Sequence, residues 1–158
     1  MSPQSLAPLM SSASREWRTP RALFAALHAQ HCFTLDAAAS AENAQLPRYF
    51  TEANDGLRQV WAPPRVWLNP PYGRMVPMWL AKAVTERTLV VVLVPARTDT
   101  AWWHEWVLPK ATEVAYVRGR LTFEGARSSA PFPSAIVTFQ PGARRRRSIA
   151  IDREGRRV

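Results

Sequence analysis

The chain has 158 residues, 47% of them apolar, and a formal net charge of +9. That is the size of one ordinary domain with enough apolar content for a core, which excludes a disordered polar chain. No apolar run approaches the ~20 residues a membrane-spanning helix needs, and a lone cysteine excludes a disulfide framework and a thiolate metal set. Cys32 itself reads as a small core residue. The N-terminus lacks a basic stretch followed by a long apolar one, so a cytoplasmic location is expected, and no metal is implied.

The charge is uneven. Residues 144–158 carry seven arginines against Asp152 and Glu154, a net +5, which leaves +4 on the rest. A basic body with a basic end points to a polyanionic partner, most simply nucleic acid. Read by itself, the run from Arg144 to Arg147 is equally a solvated end. The two readings are compatible, because a disordered basic tail still supplies non-specific phosphate contacts.

In chain order, residues 1–14 are rich in Ser, Pro and Ala and read as a flexible leader. Thr19-Pro20 is a helix start, with Thr19 as N-cap and Pro20 at the first helical position. Leu23, Phe24, Leu27 and His31 follow at helical spacing. Phe33 to Asp36 reads as a strand ending in a carboxylate, with the small residues Ala37 to Ala39 after it. Ser40 caps a short helix through Gln45. Tyr49 to Thr51 reads as a second short strand, and Asn54-Asp55-Gly56 as a turn. Pro63-Pro64 breaks the chain before the apolar strand Val66 to Leu68.

Beyond Asn69-Pro70-Pro71-Tyr72-Gly73, an amphipathic helix is marked by Val76, Trp79, Leu80, Ala83 and Val84. Thr88 to Val94 is the strongest strand, and its unbroken β-branched and apolar residues predict burial on both faces, as in a parallel sheet. Thr98 or Asp99 caps a helix carrying Trp102, Trp103, Trp106 and Val107. Glu113 to Val117, Leu121 to Phe123 and Ser134 to Phe139 are strand-like. Residues 15–140 are expected to form the folded domain, and 141–158 a disordered basic tail. Alternating strands and helices with a β-rich end predict an α/β, doubly wound, mostly parallel sheet with an antiparallel C-terminal edge. Ligands bind such sheets outside the carboxyl ends of the strands. That rule places Asp36, Asn69 to Tyr72 and Pro95-Ala96-Arg97 on one rim.

The loop Asn69-Pro70-Pro71-Tyr72 suits a planar heterocycle bearing an amine. The Asn69 side-chain oxygen and the Pro70 carbonyl can accept both protons of one NH2 group, and the Tyr72 ring can stack on the base. Accepting both protons disfavours conjugation of the nitrogen lone pair into the ring, so the amine becomes a better nucleophile. No strong base stands nearby in the sequence, since His28, His31 and His104 fall on predicted helices and read as packing or surface residues.

Asn-Pro-Pro-Tyr after an apolar strand is similar to the catalytic motif of S-adenosylmethionine-dependent methyltransferases acting on N6 of adenine. The ordered set is wider. Glu16-Trp17-Arg18-Thr19-Pro20, Leu35-Asp36-Ala37-Ala38-Ala39-Ser40, Arg48-Tyr49-Phe50-Thr51 and Asp55-Gly56-Leu57 precede the loop. Pro95-Ala96-Arg97-Thr98-Asp99-Thr100 and Trp102-Trp103-His104 follow it. Over residues 15–140 the chain resembles the phage-type DNA N-6-adenine-methyltransferase (Dam) family.

The resemblance implies a Rossmann-like class I methyltransferase fold, S-adenosylmethionine as cofactor, and double-stranded DNA as partner with the target adenine flipped out. It implies that Asn69, Pro70, Pro71 and Tyr72 form the catalytic target-base pocket. Thr19 and Pro20, with Trp17 beside them, would contact the methionine end of the cofactor. Asp36, Ala37 and Ala38 would form the cofactor-binding turn, and Asp55 would read the cofactor's adenine amine. Glu42 and Glu52 are the candidates for a ribose-binding acid. The expected DNA contacts are Arg97, Arg120, Arg144 and Arg145, with the cofactor carboxylate as an alternative ligand for Arg97. The same loop also serves methyltransferases acting on RNA adenine, cytosine N4 or protein glutamine. A catalytically inactive DNA-binding module of the same fold is the remaining alternative.

Overall fold

The computed structural model describes residues 17–62 and 64–158, so the leader expected at 1–14 lies outside the described residues. Among the described residues, three α- or π-helical segments, a 3-10 turn at Gly56–Arg58 and six strands carry the fold. Helix α1 is Arg21–His31, α2 is Val76–Thr85, and a π-helical turn Trp103–Val107 runs into the short α3, Leu108–Lys110. The strands are β1 (Leu35–Asp36), β2 (Val66–Leu68), β3 (Val90–Pro95), β4 (Glu113–Val117), β5 (Ser134–Phe139) and β6 (Arg147–Ile151).

They form one mixed sheet in the order β1-β2-β3-β5-β4-β6. β1, β2 and β3 are mutually parallel, and β5 runs antiparallel to both β3 and β4. The antiparallel strand β5 thus belongs to the C-terminal half of a mostly parallel sheet, flanked by β3 and β4. All six residues of β5 are buried, so this strand must be covered on both sides. The edge is β6, which pairs parallel with β4 from Glu113↔Arg147 to Val117↔Ile151. Residues 147–151 of the expected disordered tail are thus an ordered strand. Its pairing satisfies the outer backbone groups of β4, and it buries Ile151.

Side chains alternate across the sheet as the strand period requires. Val66, Leu68, Val90, Val92 and Val94 pack on one face with α2 through Val76, Trp79 and Leu80, and with Trp61 and Trp103. Trp67, Val91, Leu93 and Ile136 pack on the other face with α1 through Leu23, Phe24 and Leu27. β3 is buried at all six positions, as its composition predicts. No described helix is long and apolar enough to cross a membrane.

Several local expectations shift. Helix α1 starts at Arg21 with extended Pro20 as N-cap, so Thr19 is not the capping residue. Thr100, not Thr98 or Asp99, caps the Trp102 helix: its hydroxyl accepts the Trp103 N–H at 3.3 Å. Ser40 to Gln45 makes a single turn and no helix, with the Asn43 side chain accepting the Ser40 N–H at 2.7 Å. Tyr49 contributes one parallel bridge to Asp36 and no longer strand. Leu121 to Phe123 is no strand either, because its neighbours bond outside any ladder: Glu124 N–H to the Arg18 carbonyl and Ala130 N–H to that of Leu121. Cys32 is exposed, not core. It ends α1 in a left-handed conformation with φ 53°, its N–H on the His28 carbonyl, and its side chain turns outward.

Strand direction positions the site. β1, β2, β3, β4 and β6 all point their carboxyl ends to one rim, where β5 begins. β3 continues past the end of β2, since Leu68 pairs with Val92 and the strand runs on to Pro95. That leaves a step at the rim, onto which the chain after Leu68 folds.

Candidate active site

Asn69 stands at this step. Its side-chain nitrogen donates to the Trp17 carbonyl at 2.6 Å and to the Thr19 hydroxyl at 3.2 Å. A carbonyl can only accept, so the Trp17 contact dictates which amide atom is nitrogen. The amide oxygen is left buried with no hydrogen-bond partner among the described residues. An unpaired buried acceptor costs about 1–3 kcal/mol. The site thus keeps one acceptor desolvated, oriented and waiting for a donor.

The same contacts give Thr19 a role that its capping signature concealed. Its hydroxyl satisfies the second N–H of Asn69. Thr19→Val is expected to slow turnover about tenfold, the equivalent of 1.4 kcal/mol, with Thr19→Ser near the unmodified rate. Steady-state kinetics with separate cofactor titration checks this. A loss of cofactor affinity with turnover unchanged would assign Thr19 to the cofactor alone.

Pro70 is buried, Pro71 is exposed, and Gly73 turns the chain into α2 with φ 118°, a region that only glycine adopts freely. The Tyr72 hydroxyl donates to the Leu93 carbonyl of β3 at 3.3 Å, and burial pushes its pKa above the ordinary phenol value. A neutral hydroxyl tied to the strand below fixes the ring, which itself stays partly exposed. Phe132 and Phe123 meet that ring edge-on, with centroids at 5.7 and 6.3 Å. Trp17 closes the group, 5.2 Å from Phe123 and 5.1 Å from Phe132. The Arg97 guanidinium lies 6.0 Å from the Phe132 ring centre, a cation–π contact that holds its charge beside the aromatic group.

Phe123 and Phe132 were not anticipated by sequence reasoning. Both belong to the β4–β5 connection, residues 118–133, which folds back over the rim. The signal available was two phenylalanines inside a Gly-, Ser- and Pro-rich loop that has no other reason to hold large apolar residues.

A second group gathers at the end of β1. Asp36 is buried; its Oδ2 accepts the Gln45 N–H at 3.0 Å, while among the described residues Oδ1 lacks a partner of hydrogen-bond geometry. Burial raises its pKa to about 7, against the opposing effect of the Gln45 and Ala38 backbone N–H groups. Ala37 is buried and its N–H bonds to the Trp67 carbonyl of β2, and Ala38 is partly buried beside it. Gly56 packs so closely here that a Cβ on it would stand 2.3 Å from the Ala37 carbonyl oxygen. That approach brings Asp55 next to the end of β1. Asp55 has a left-handed backbone, φ 54°, and pairs with Arg58 at 3.2 Å. Glu42 and Glu52 lie exposed on the turns beyond.

A family model described as DNA N-6-adenine-methyltransferase (Dam) matches residues 8–153. The chain belongs to this family. Its relatives include a DNA N-6-adenine-methyltransferase of Escherichia phage T1, 33% identical over 111 residues, 67% of this chain and 46% of that protein. Another, of Haemophilus phage HP1, is 26% identical over 138 residues, 80% of this chain and 79% of its own length. The match to the phage T1 protein thus spans about half of that relative.

For this Dam-family chain, the rim brings together Trp17, Thr19 and Asn69 to Tyr72 as one group, with Arg97 at its border. Asp36 to Ala38 and Asp55 form the adjoining group at β1. Pro20 begins α1 beside Thr19. Arg120 is exposed on the rim, three residues before Phe123. Arg144 and Arg145 are not brought there: they precede the first residue of β6, at the opposite end of the sheet. The histidines stay outside the site, His28 accepting the Phe33 N–H and His104 on the Thr98 carbonyl.

Proposed function

We propose that the protein transfers a methyl group from S-adenosylmethionine to N6 of adenine in double-stranded DNA. The observation that carries this reading is the unpaired, buried amide oxygen of Asn69 beside the Tyr72 ring. It is joined by the names of the family and of its two relatives. The reading uses the α/β sheet as a Rossmann-like class I methyltransferase does, with the cofactor at β1–β2 and the base at β2–β3.

The residues at the end of β1 fit the cofactor. Asp36 offers a buried acceptor whose Oδ1 meets no donor at full hydrogen-bond geometry among the described residues, Ala37 and Ala38 are small, and the Gly56 contact holds Asp55 against the same edge. Asp55 then accepts from the cofactor's adenine amine, and Thr19-Pro20 borders its methionine end. When bound, S-adenosylmethionine supplies a sulfonium methyl, an electrophile strong enough for a neutral amine.

The protein's part is to orient the nucleophile and exclude water. N6 of a stacked base is out of reach, so the adenine must leave the duplex. Asn69 Oδ1 and the Pro70 carbonyl accept the two N6 protons, and Tyr72 stacks on the ring, with Phe123 and Phe132 walling the pocket. Held this way, N6 would present its lone pair to the methyl group that the bound cofactor would supply. One N6 proton then leaves to water, since positive charge on the amine makes it acidic and no histidine stands within the site.

The test is expression in a host lacking adenine methylation, followed by sequencing of the DNA with methylation detected base by base. N6-methyladenine is expected. DNA left unmethylated, with no thermal stabilisation of the protein by S-adenosylhomocysteine, would leave the inactive binding module as the reading.

A further inference from the structure

We infer that the DNA backbone is gripped by the C-terminal turn, through Arg153 and Arg157 together with Arg118 and Arg120, and not by the run of arginines before β6. This inference rests on the DNA-methylating reading and names the surface on which that duplex lies.

The seven C-terminal arginines are alike in sequence but not in the fold. Arg147 pairs with Glu113, Arg146 donates to the Leu108 carbonyl at 3.2 Å, and Arg156 is held by Asp152 at 2.9 Å and by Glu154 at 3.4 Å. Among the described residues, Arg153 and Arg157 take part in no ion pair. Strand direction then separates the remaining cations. Arg144 and Arg145 lie before β6, at the end of the sheet opposite the catalytic rim. Arg153 lies beyond its carboxyl end, and Arg157 stands beside its last residue in an antiparallel bridge to Ile151, so both are at the rim end of the strand. About 3.3 Å of rise per residue puts roughly 13 Å between the two ends of β6.

The turn is built to hold its charges in place. Asp152 Oδ1 accepts the N–H groups of Glu154 and Arg156 at 3.0 and 2.9 Å, and the Val158 N–H reaches the Ala150 carbonyl at 3.1 Å. Gly155, with φ 84°, sits so tightly on α1 that a Cβ would be 3.0 Å from that of Ala26. The Arg153 stem passes over Gly119, whose Cβ position is 3.8 Å from the Arg153 Cδ. Arg153 therefore lies against the segment that carries Arg118 and Arg120, and the Arg118 N–H is anchored on the Ile151 carbonyl at 2.8 Å. These exposed cations share one docked surface, and from Arg120 the chain runs within three residues to Phe123 of the base pocket. Preorganised, unpaired arginines beside a base pocket suit the phosphates flanking a flipped nucleotide. Phosphate contacts also dominate the affinity of such complexes.

The experiment compares Arg153→Gln/Arg157→Gln with Arg144→Gln/Arg145→Gln in the full chain. Affinity for an adenine-containing duplex oligonucleotide is measured over a range of salt concentration. Each lost phosphate contact lowers the salt slope by about one. The rim variant is expected to lose about two from the slope and roughly ten- to hundredfold in affinity near 0.1 M salt. Its melting temperature and S-adenosylhomocysteine affinity should match those of the unmodified protein, and the β6-start variant should bind DNA as the unmodified protein does. Equal losses in both variants, or a loss confined to Arg144/Arg145, would overturn the assignment while leaving methyl transfer standing. No duplex binding by the unmodified protein would overturn both.

Discussion

Asn69→Ala is expected to lower N6-methyladenine formation by about 10²–10³-fold, the cost typical of removing one preorganised dipole aimed at developing charge. The amine gains positive charge as the methyl arrives, and the Asn69 oxygen is the acceptor held ready for its proton. The substitution leaves the Trp17 carbonyl and the Thr19 hydroxyl without their donor, a cost of about 1–3 kcal/mol. It also removes a buried, unpaired oxygen, so the net effect on stability stays small and the chain stays folded. Tyr72 separates two further contributions. Tyr72→Phe loses only the 3.3 Å bond to the Leu93 carbonyl and is expected to stay within a few-fold of full rate. Tyr72→Ala removes the stacking face, about 1–3 kcal/mol per base. Single-turnover rates with cofactor and DNA saturating check all three; Asn69→Ala at the unmodified rate would remove the amide from the chemistry.

Cofactor affinity is expected to rise with pH through neutrality, because of Asp36. Its folded pKa of about 7 lies above the ordinary value of 3.8, and burial is the leading cause, with no charged side chain contributing. Between those values the folded chain holds a proton that the unfolded chain has lost. The contribution of Asp36 to the stability of the unliganded protein is therefore greatest below about pH 4, falls as pH rises towards 7, and levels off beyond. A shift of that size is worth on the order of 4 kcal/mol. A cofactor that donates a hydrogen bond to Oδ1 binds the charged carboxylate more tightly than the neutral acid. Below pH 7 that carboxylate must first lose its proton, so affinity weakens up to tenfold per pH unit, about a hundredfold by pH 5. Calorimetric titration with S-adenosylhomocysteine from pH 5 to 8 measures this, and Asp36→Asn should flatten the curve. A pH-independent affinity in the unmodified protein would remove Asp36 from the cofactor's donors.

Which parts were legible in the sequence follows from how local their causes are. β3 and α2 declared themselves because a fully buried strand and an amphipathic helix each leave a periodic pattern. The Asn69 loop was legible because two prolines, an amide and an aromatic ring in a row have a chemical reading of their own. Thr19 misled for an instructive reason. Its hydroxyl looked like a helix cap to Pro20, but a residue fifty positions away claims it. The β4–β5 loop was opaque because Phe123 and Phe132 acquire their meaning only when that loop folds over Tyr72. β6 was hidden by charge. Arg144 to Arg147 masked the alternation of Ile149 and Ile151, of which Ile151 is buried and Ile149 packs partly on the core. The same charge run drew attention away from Arg153 and Arg157, which the strand delivers to the rim.

The most direct measurement of the central claim is product analysis with purified components. The protein is incubated with duplex DNA and methyl-labelled S-adenosylmethionine, and the DNA is digested to nucleosides and resolved by mass spectrometry. Label is expected in N6-methyladenine, at least a hundredfold less with Asn69→Ala. Label in N4-methylcytosine, or none in any nucleoside while the cofactor still binds, would contradict the central claim.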